Sequence, residues 1–371
     1  MKKRCVIWVS MLVLLLVSAV NAQTKPYKIL VVSSYHHEYL WSQDTQKGVC
    51  AGLLEFGFLD NASQAAEFTE TDIIKSSTAQ VKKVWMDTKH KSSKSEIAVS
   101  INRIMRDISM FDPDLVMLGD DNAANYIGNQ IVDVDIPVVF WGINGLPLKY
   151  GLLDTLKKPG HNITGVYQAG YFKECLAFLQ QVVPTVRTFA VLSDDSPTGR
   201  SKVKALENLH NSGDLPLKLL ESVITNSFSE WKIRAKVLET QVDAFFIVNH
   251  NSIKNDDGNV LDQMEIGAWY LRNINKPECA HEKQFAQEGI LCVCDDSGYN
   301  QGYEAMKLVY RILQKGEHPG DMAVKAPPRG PFIINRQRAE MLGIQIMDKM
   351  GAELYVDKAL ALTEHIVLAK D

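Results

Sequence analysis

The strongest constraint on the fold is a repeated alternation of short, almost wholly apolar runs with amphipathic stretches of helical length. Tyr27-Lys28-Ile29-Leu30-Val31-Val32-Ser33-Ser34 opens the series as an apolar run that ends in a polar loop, and 41–56 follows with helical spacing. Runs without a polar face belong to strands covered on both sides, the signature of a parallel α/β sheet. Further strands are predicted at 81–87, 114–118 and 136–141, with a helix at 97–110. The polar stretch from Asp60 to Ser77 is expected to form a loop or small hairpin. After Gly160 the alternation begins again. Strands are expected at 163–168, 188–192, 217–223, 244–248, 277–280 and 290–293, with helices between them and a last one at 300–315. Two series imply two similarly built lobes, each a doubly wound α/β sheet, and a length of 371 residues accommodates two such domains.

Residues 1–22 stand outside that pattern. Lys2, Lys3 and Arg4 precede an apolar run from Val6 to Val20, and Val20-Asn21-Ala22 places small residues where a signal peptidase cuts. The run of about 15 residues is shorter than the ~20 needed to span a bilayer. A cleaved export signal is therefore expected, and with it a periplasmic location. Cys5 lies before the apolar run, so no lipid attachment site is read there. The formal charge of −4 becomes more negative once that segment is removed, which gives no electrostatic reason to expect nucleic acid as a partner. Five cysteines remain, Cys50, Cys175, Cys279, Cys292 and Cys294, too few for a disulfide scaffold. They read as buried apolar thiols, although a bridge from Cys279 to Cys292 or Cys294 is open.

In parallel sheets ligands collect beyond the carboxyl ends of the strands. The residues expected there include Ser34, Tyr35, His36, Tyr39, Asp120, Asp121, Trp141, Asn144, Tyr167, Asp194, Asn249, Glu282 and Asp295, with Trp41 beginning the first helix. Tyr35, Tyr39, Trp41, Trp141 and Tyr167 are candidate aromatic walls, because a ring gives contact area at low entropic cost. Asp120, Asp121, Asn144, Asp194 and Glu282 are candidate polar anchors, and a carboxylate in a cleft favours an ammonium on the ligand. A small molecule is expected, with amino acids or related amines leading. Asp, Asn and Ser at such positions also cap helices. His36-His37-Glu38 has metal-binding residue types, but adjacent histidines diverge, so neither metal nor cofactor is expected. The chain has no G-x-S-x-G, no P-loop and no H-E-x-x-H, and an enzyme is not expected.

Particular stretches carry a family resemblance. Ser34-Tyr35-His36-His37-Glu38-Tyr39-Leu40-Trp41, Met86-Asp87-Thr88-Lys89, Asp120-Asp121-Asn122-Ala123, Val138-Val139-Phe140-Trp141-Gly142-Ile143-Asn144, Pro159-Gly160-His161-Asn162-Ile163-Thr164-Gly165-Val166 and Ile334-Asn335-Arg336-Gln337-Arg338-Ala339-Glu340-Met341-Leu342-Gly343-Ile344 occur in a characteristic order. Together they resemble the tryptophan/tyrosine-type substrate-binding proteins of ABC transporters, with the type I periplasmic binding protein fold. The first of them is closest to the branch associated with membrane sensors. The resemblance implies two lobes that close by a hinge on a ligand in the cleft between them. It also implies that the chain crosses between lobes: 27–145 plus 298–318 in one, 146–297 plus 319–371 in the other. The partners implied are a membrane permease and its ATPase, or alternatively a membrane histidine kinase or diguanylate cyclase that reads the liganded form.

Overall fold

The computed structural model describes residues 25–347 and 350–363. The expected export signal at 1–22 lies outside them, and no described helix is long and apolar enough to cross a membrane.

The strands are β1 (Tyr27–Ser33), β2 (Ile73–Lys75), β3 (Ala79–Trp85), β4 (Leu115–Gly119), β5 (Val138–Asn144), β6 (Ile163–Gln168), β7 (Thr188–Ser193), β8 (Lys218–Ile224), β9 (Ala244–Asn249), β10 (Glu278–Ala280), β11 (Cys292–Cys294), β12 (Phe332–Asn335) and β13 (Leu354–Val356). They form two sheets, ordered β2-β3-β1-β4-β5-β6 and β13-β12-β11-β10-β9-β7-β8. Each is mostly parallel; β2 runs antiparallel to β3, and β12 to β11.

Alternation along the strands explains why both faces need cover. In β1, Ile29 and Val31 join a core completed by Val49 and Leu53 of the helix Leu40–Glu55 (α1), whereas Leu30 and Val32 face Ile104 and Ile108 of Lys94–Phe111. In β9, Phe245 and Ile247 enter one core of the second sheet and Ala244, Phe246 and Val248 the other. Strands of this kind are buried on both sides and read as continuous apolar runs.

The structure departs from the sequence expectation at two places. Residues 60–77 contain the helix Ala62–Glu70 as well as β2. Its N-cap Asn61 accepts from Gln64 N, but only Phe68 of the helix is buried, so little apolar periodicity marks it. Second, Ile163–Gln168, expected to begin the second series, pairs with β5 and completes the first sheet. Residues just after the helix Gly298–Lys315 (α2) also return to that strand: Thr164 Oγ1 donates to Met322 O at 2.7 Å, and Val166 bridges Lys325. The segment after β4, for which the sequence set no expectation, includes a π-helical stretch, Ala123–Gly128, between two short α-turns.

The helix α2 packs along α1 and, with it, covers the first sheet. The contact is close because glycines face it. A Cβ on Gly48 would lie 2.0 Å from Tyr299 O, and one on Gly302 would lie 2.1 Å from Thr45 O. The five cysteines are free and buried, and burial pushes the Cys279 and Cys292 thiols well up.

Candidate ligand-binding cleft

In each sheet the strand order reverses at one position, and loops leaving the two strands there part to form a crevice. In the first sheet the switch lies between β1 and β4; in the second it lies between β7 and β9. The loops after these strands face one another across the lobes and enclose a small cavity.

One wall comes from the first lobe. Tyr35 and Tyr39, both in the loop after β1, meet edge to face with ring centroids 5.3 Å apart. Trp41 donates from Nε1 to Asp120 Oδ1 at 2.7 Å. Asp120 holds a left-handed backbone (φ 67), a conformation that costs of order 1 kcal/mol or more for a non-glycine residue and concentrates at functional sites. Burial pushes its carboxyl well above the usual range, against the Trp41 hydrogen bond, and the nearby Asp121 charge adds to the rise. Gly142 makes room for it, since a Cβ there would lie 2.5 Å from Asp120 Oδ1. Around Gly142 the register of β5 on β6 slips, and beyond that irregularity Asn144 pairs with Gln168. Both side chains line the cavity, and Asn144 Oδ1 and Gln168 Oε1 are buried with no hydrogen-bond partner among the described residues.

The second lobe contributes Asn249, Glu282, Thr198 and Lys202. The Lys202 ammonium donates to Glu282 Oε1 and lies 2.7 Å from His281 Nε2. Burial would raise the Glu282 carboxyl, but the Lys202 ammonium outweighs it and holds the pKa well below the usual range. Burial, then Lys202, pushes His281 down to about 4, so its imidazole is neutral and accepts. Glu282 Oε2 also accepts from Gln284 Nε2 at 2.6 Å. Glu282 and Lys202 thus neutralise one another.

Lys89 has no such partner. Its Nζ lies 4.6 Å from the ring centroid of Tyr35 and 5.0 Å from that of Tyr39, a cation over two aromatic faces. Among the described residues no carboxylate comes within ion-pair distance of it. Burial lowers its pKa, partly offset by the more distant Asp194 and Glu282. Tyr35, Lys89 and Thr198 also line a wider groove running outward past Thr88 and Ser196.

Of the residues expected at the site, Tyr35, Tyr39, Trp41, Asp120, Asn144, Asn249 and Glu282 come together here. The others lie elsewhere for identifiable reasons. Trp141 packs in the core beneath α1 and α2 and is 2 % exposed; it fills the space left by Gly119, where a Cβ would lie 2.3 Å from its ring. Tyr167 precedes Gln168 on β6, and strand alternation turns it to the opposite core. Ser34 Oγ donates to Gly119 O and accepts from Ala123 N, tying β1 to β4. Asp194 is consumed by Ser196 Oγ, Asn249 Nδ2 and Ser252 N. Asp121 holds Asn144, Tyr150 and Lys149. Asp295 lines a separate cavity with Asp44 and Arg329, and His36 turns toward Asp87. Gln168 stood beside Tyr167 at an expected strand end but was not chosen as a site residue; Lys89, Thr198 and Lys202 were not expected, although Lys89 lies in the Met86-Asp87-Thr88-Lys89 stretch.

Two α/β lobes enclosing a small polar-aromatic cavity define a solute-binding protein. A family model described as ABC transporter substrate binding protein matches residues 72–354, and the chain belongs to that family. A tyrosine-binding protein of Clostridioides difficile is 24% identical over 212 residues, which cover 57% of this chain and 58% of that relative. An ABC domain from Streptococcus pneumoniae, solved in complex with L-Trp, superimposes with a TM-score of 0.67 at 21% identity, covering 90% of this chain and all of that one. The ligand-free, open form of a substrate binding protein with adhesive properties from Clostridium difficile gives 0.64 at 19% identity, covering 89% and 99%. These similarities show the type I periplasmic binding protein fold, and members of such a family bind substrates and are not enzymes.

Proposed function

We propose that the cleft binds a zwitterionic amino acid, with aromatic amino acids favoured, and that the protein delivers it to a membrane permease and ATPase from an extracytoplasmic, periplasmic location. The observation that carries this is one of unmet needs in a single cavity. Among the described residues, Asn144 Oδ1 and Gln168 Oε1 have no donor, and the Lys89 ammonium has no carboxylate. Buried polar groups are ordinarily paired, and leaving one unpaired costs about 1–3 kcal/mol. A ligand ammonium supplies donors to the two carbonyl oxygens and to Asp120, and its carboxylate pairs with Lys89. The faces of Tyr35 and Tyr39 suit an apolar or aromatic side chain. Tyrosine and tryptophan are the ligands named for the relatives above, in keeping with such a cavity. The polar loop at 34–41, with its resemblance to the sensor-associated branch, supports a second reading in which the closed form is presented to a membrane sensor.

Isothermal titration calorimetry with L-tyrosine, L-tryptophan, tyramine and 4-hydroxyphenylpropionate tests the ligand class. Binding of an intact amino acid, with both the decarboxylated and the deaminated analogue weaker by at least roughly tenfold, is the expected outcome. Equal binding of tyramine would remove the role given to Lys89. Equal binding of the acid would remove that of Asp120, Asn144 and Gln168.

A further inference from the structure

Beside the cleft, on the outer side of the first lobe, two loops bring three metal-ligating groups together. His36 follows Tyr35 in the loop after β1; Asp87 and His90 lie in the loop after β3. His90 Nδ1 is 2.8 Å and His36 Nδ1 3.4 Å from the same carboxylate oxygen, Asp87 Oδ1. One nitrogen or oxygen from each of the three residues lies within 4.8 Å of the others. His36 Nδ1 is shielded from solvent and makes no hydrogen bond among the described residues. Lys91 reaches the other carboxylate oxygen, Oδ2, at 3.1 Å, and so leaves Oδ1 to the histidines.

The backbone that carries these groups is fixed. Met86 N donates to Ser33 O at 2.8 Å, while Thr88 N and Thr88 Oγ1 both donate to Ser34 O at 2.9 Å, lacing the two loops together. Asp87 itself is left-handed (φ 60), which aims its carboxylate back toward His36. The rings of His36 and His90 stack with centroids 4.2 Å apart. His90 is largely exposed and can turn, so the set can contract to the roughly 3.3 Å spacing of ligand atoms around a tetrahedral ion with bonds of about 2.0–2.1 Å.

We propose that His36, Asp87 and His90 form a binding site for a divalent transition-metal cation of the zinc class, completed by water. Two imidazoles and one carboxylate suit a borderline ion and are a poor set for calcium or magnesium, which take several oxygen ligands. Bound there, the ion links the loop that carries Tyr35 and Tyr39 to the loop that carries Lys89. The metal site thus adjoins the cleft without entering it.

The test is native mass spectrometry and calorimetric titration of the untagged, chelator-stripped protein with zinc sulfate, and in parallel with calcium and magnesium chloride. One zinc ion per chain, with no saturable calcium or magnesium binding, is expected. His90→Ala removes an exposed ring, and Asp87→Asn keeps a residue tolerant of the left-handed backbone. Each is expected to weaken zinc binding roughly tenfold or more, with thermal melting in chelator unchanged within a few degrees. The absence of 1:1 binding, or zinc binding that both variants retain, overturns the assignment.

Discussion

The side-chain amide of Asn251, on the second lobe, donates to the hydroxyl of Tyr39, on the first, at 2.9 Å. Gln284 Nε2 reaches the same oxygen at 3.4 Å. Tyr39 is therefore both a wall of the cavity and the catch that holds the lobes together over it. Tyr39→Phe keeps the wall and removes the catch. A hydrogen bond contributes about 0.5–1.5 kcal/mol, so ligand affinity is expected to fall roughly 2–10-fold, with a larger radius of gyration for the ligand-free protein in small-angle scattering. Unchanged scattering and affinity would show that closure is held elsewhere.

Lys89→Met keeps a flexible chain of similar length over Tyr35 and Tyr39 and removes its charge. Hydrogen bonds to charged groups contribute about 1.5–3 kcal/mol, so affinity for an amino acid should drop by roughly 10–100-fold. Affinity for the matching amine, measured by the same titration, should hold or improve. An equal loss for both would mean that Lys89 shapes the cavity and does not recognise a carboxylate.

Trp141→Ala empties a fully buried site, and the expected cost is about 3–5 kcal/mol of stability. Differential scanning calorimetry should show a melting temperature lower by roughly 10 °C. The protein that remains folded should bind its ligand within about threefold of the parent, since Trp141 does not line the cavity. A variant that melts normally but binds weakly would return this residue to the cleft.

Asp296 gives the stability a pH dependence. Burial raises its carboxyl to about 7, against the Gly170 N–H that donates to Oδ2 at 2.7 Å and against the charge of Lys202. The folded state thus holds the proton more tightly than the unfolded chain, whose aspartates titrate near 4. The stability this contributes is full below about pH 4 and is lost as pH rises toward 7. Asp296→Asn should flatten the change in melting temperature between pH 5 and pH 8. An identical slope in parent and variant would place the titration on another group.

The lobes were legible because the strands are covered on both faces, which forces runs such as Ile29–Val32 and Phe245–Val248 to be apolar throughout. The loops that build the cleft were legible for the same reason, as the polar ends of those runs. The facing of each side chain was not. Whether Tyr167 or Gln168 meets the ligand depends on one step of alternation, and the slip around Gly142 lies between them and the rest of the sheet. Aspartates that look alike in sequence part company through their neighbours: Asp120 meets one indole, whereas Asp194 is saturated by Ser196, Asn249 and Ser252. Lys89 was missed because a lysine in a loop ordinarily points to water, and its place over two tyrosine faces is set by a lacing of loops far apart in the chain.

The glycine-lined contact between α1 and α2 also orders the birth of the molecule. Ala305, Met306, Val309 and Ile312 complete a core whose first members are Ile29 and Val31, and these come from opposite ends of the chain. A growing polypeptide that has made every strand of the first sheet still presents the face of α1 bare, because its cover has not been synthesised. A long loop must then be closed before that core is sealed, which slows folding by the entropy of closure. No contiguous fragment that stops short of residue 298 can contain a finished first lobe, and a chain cut there is a substrate for chaperones and proteases before it is a receptor.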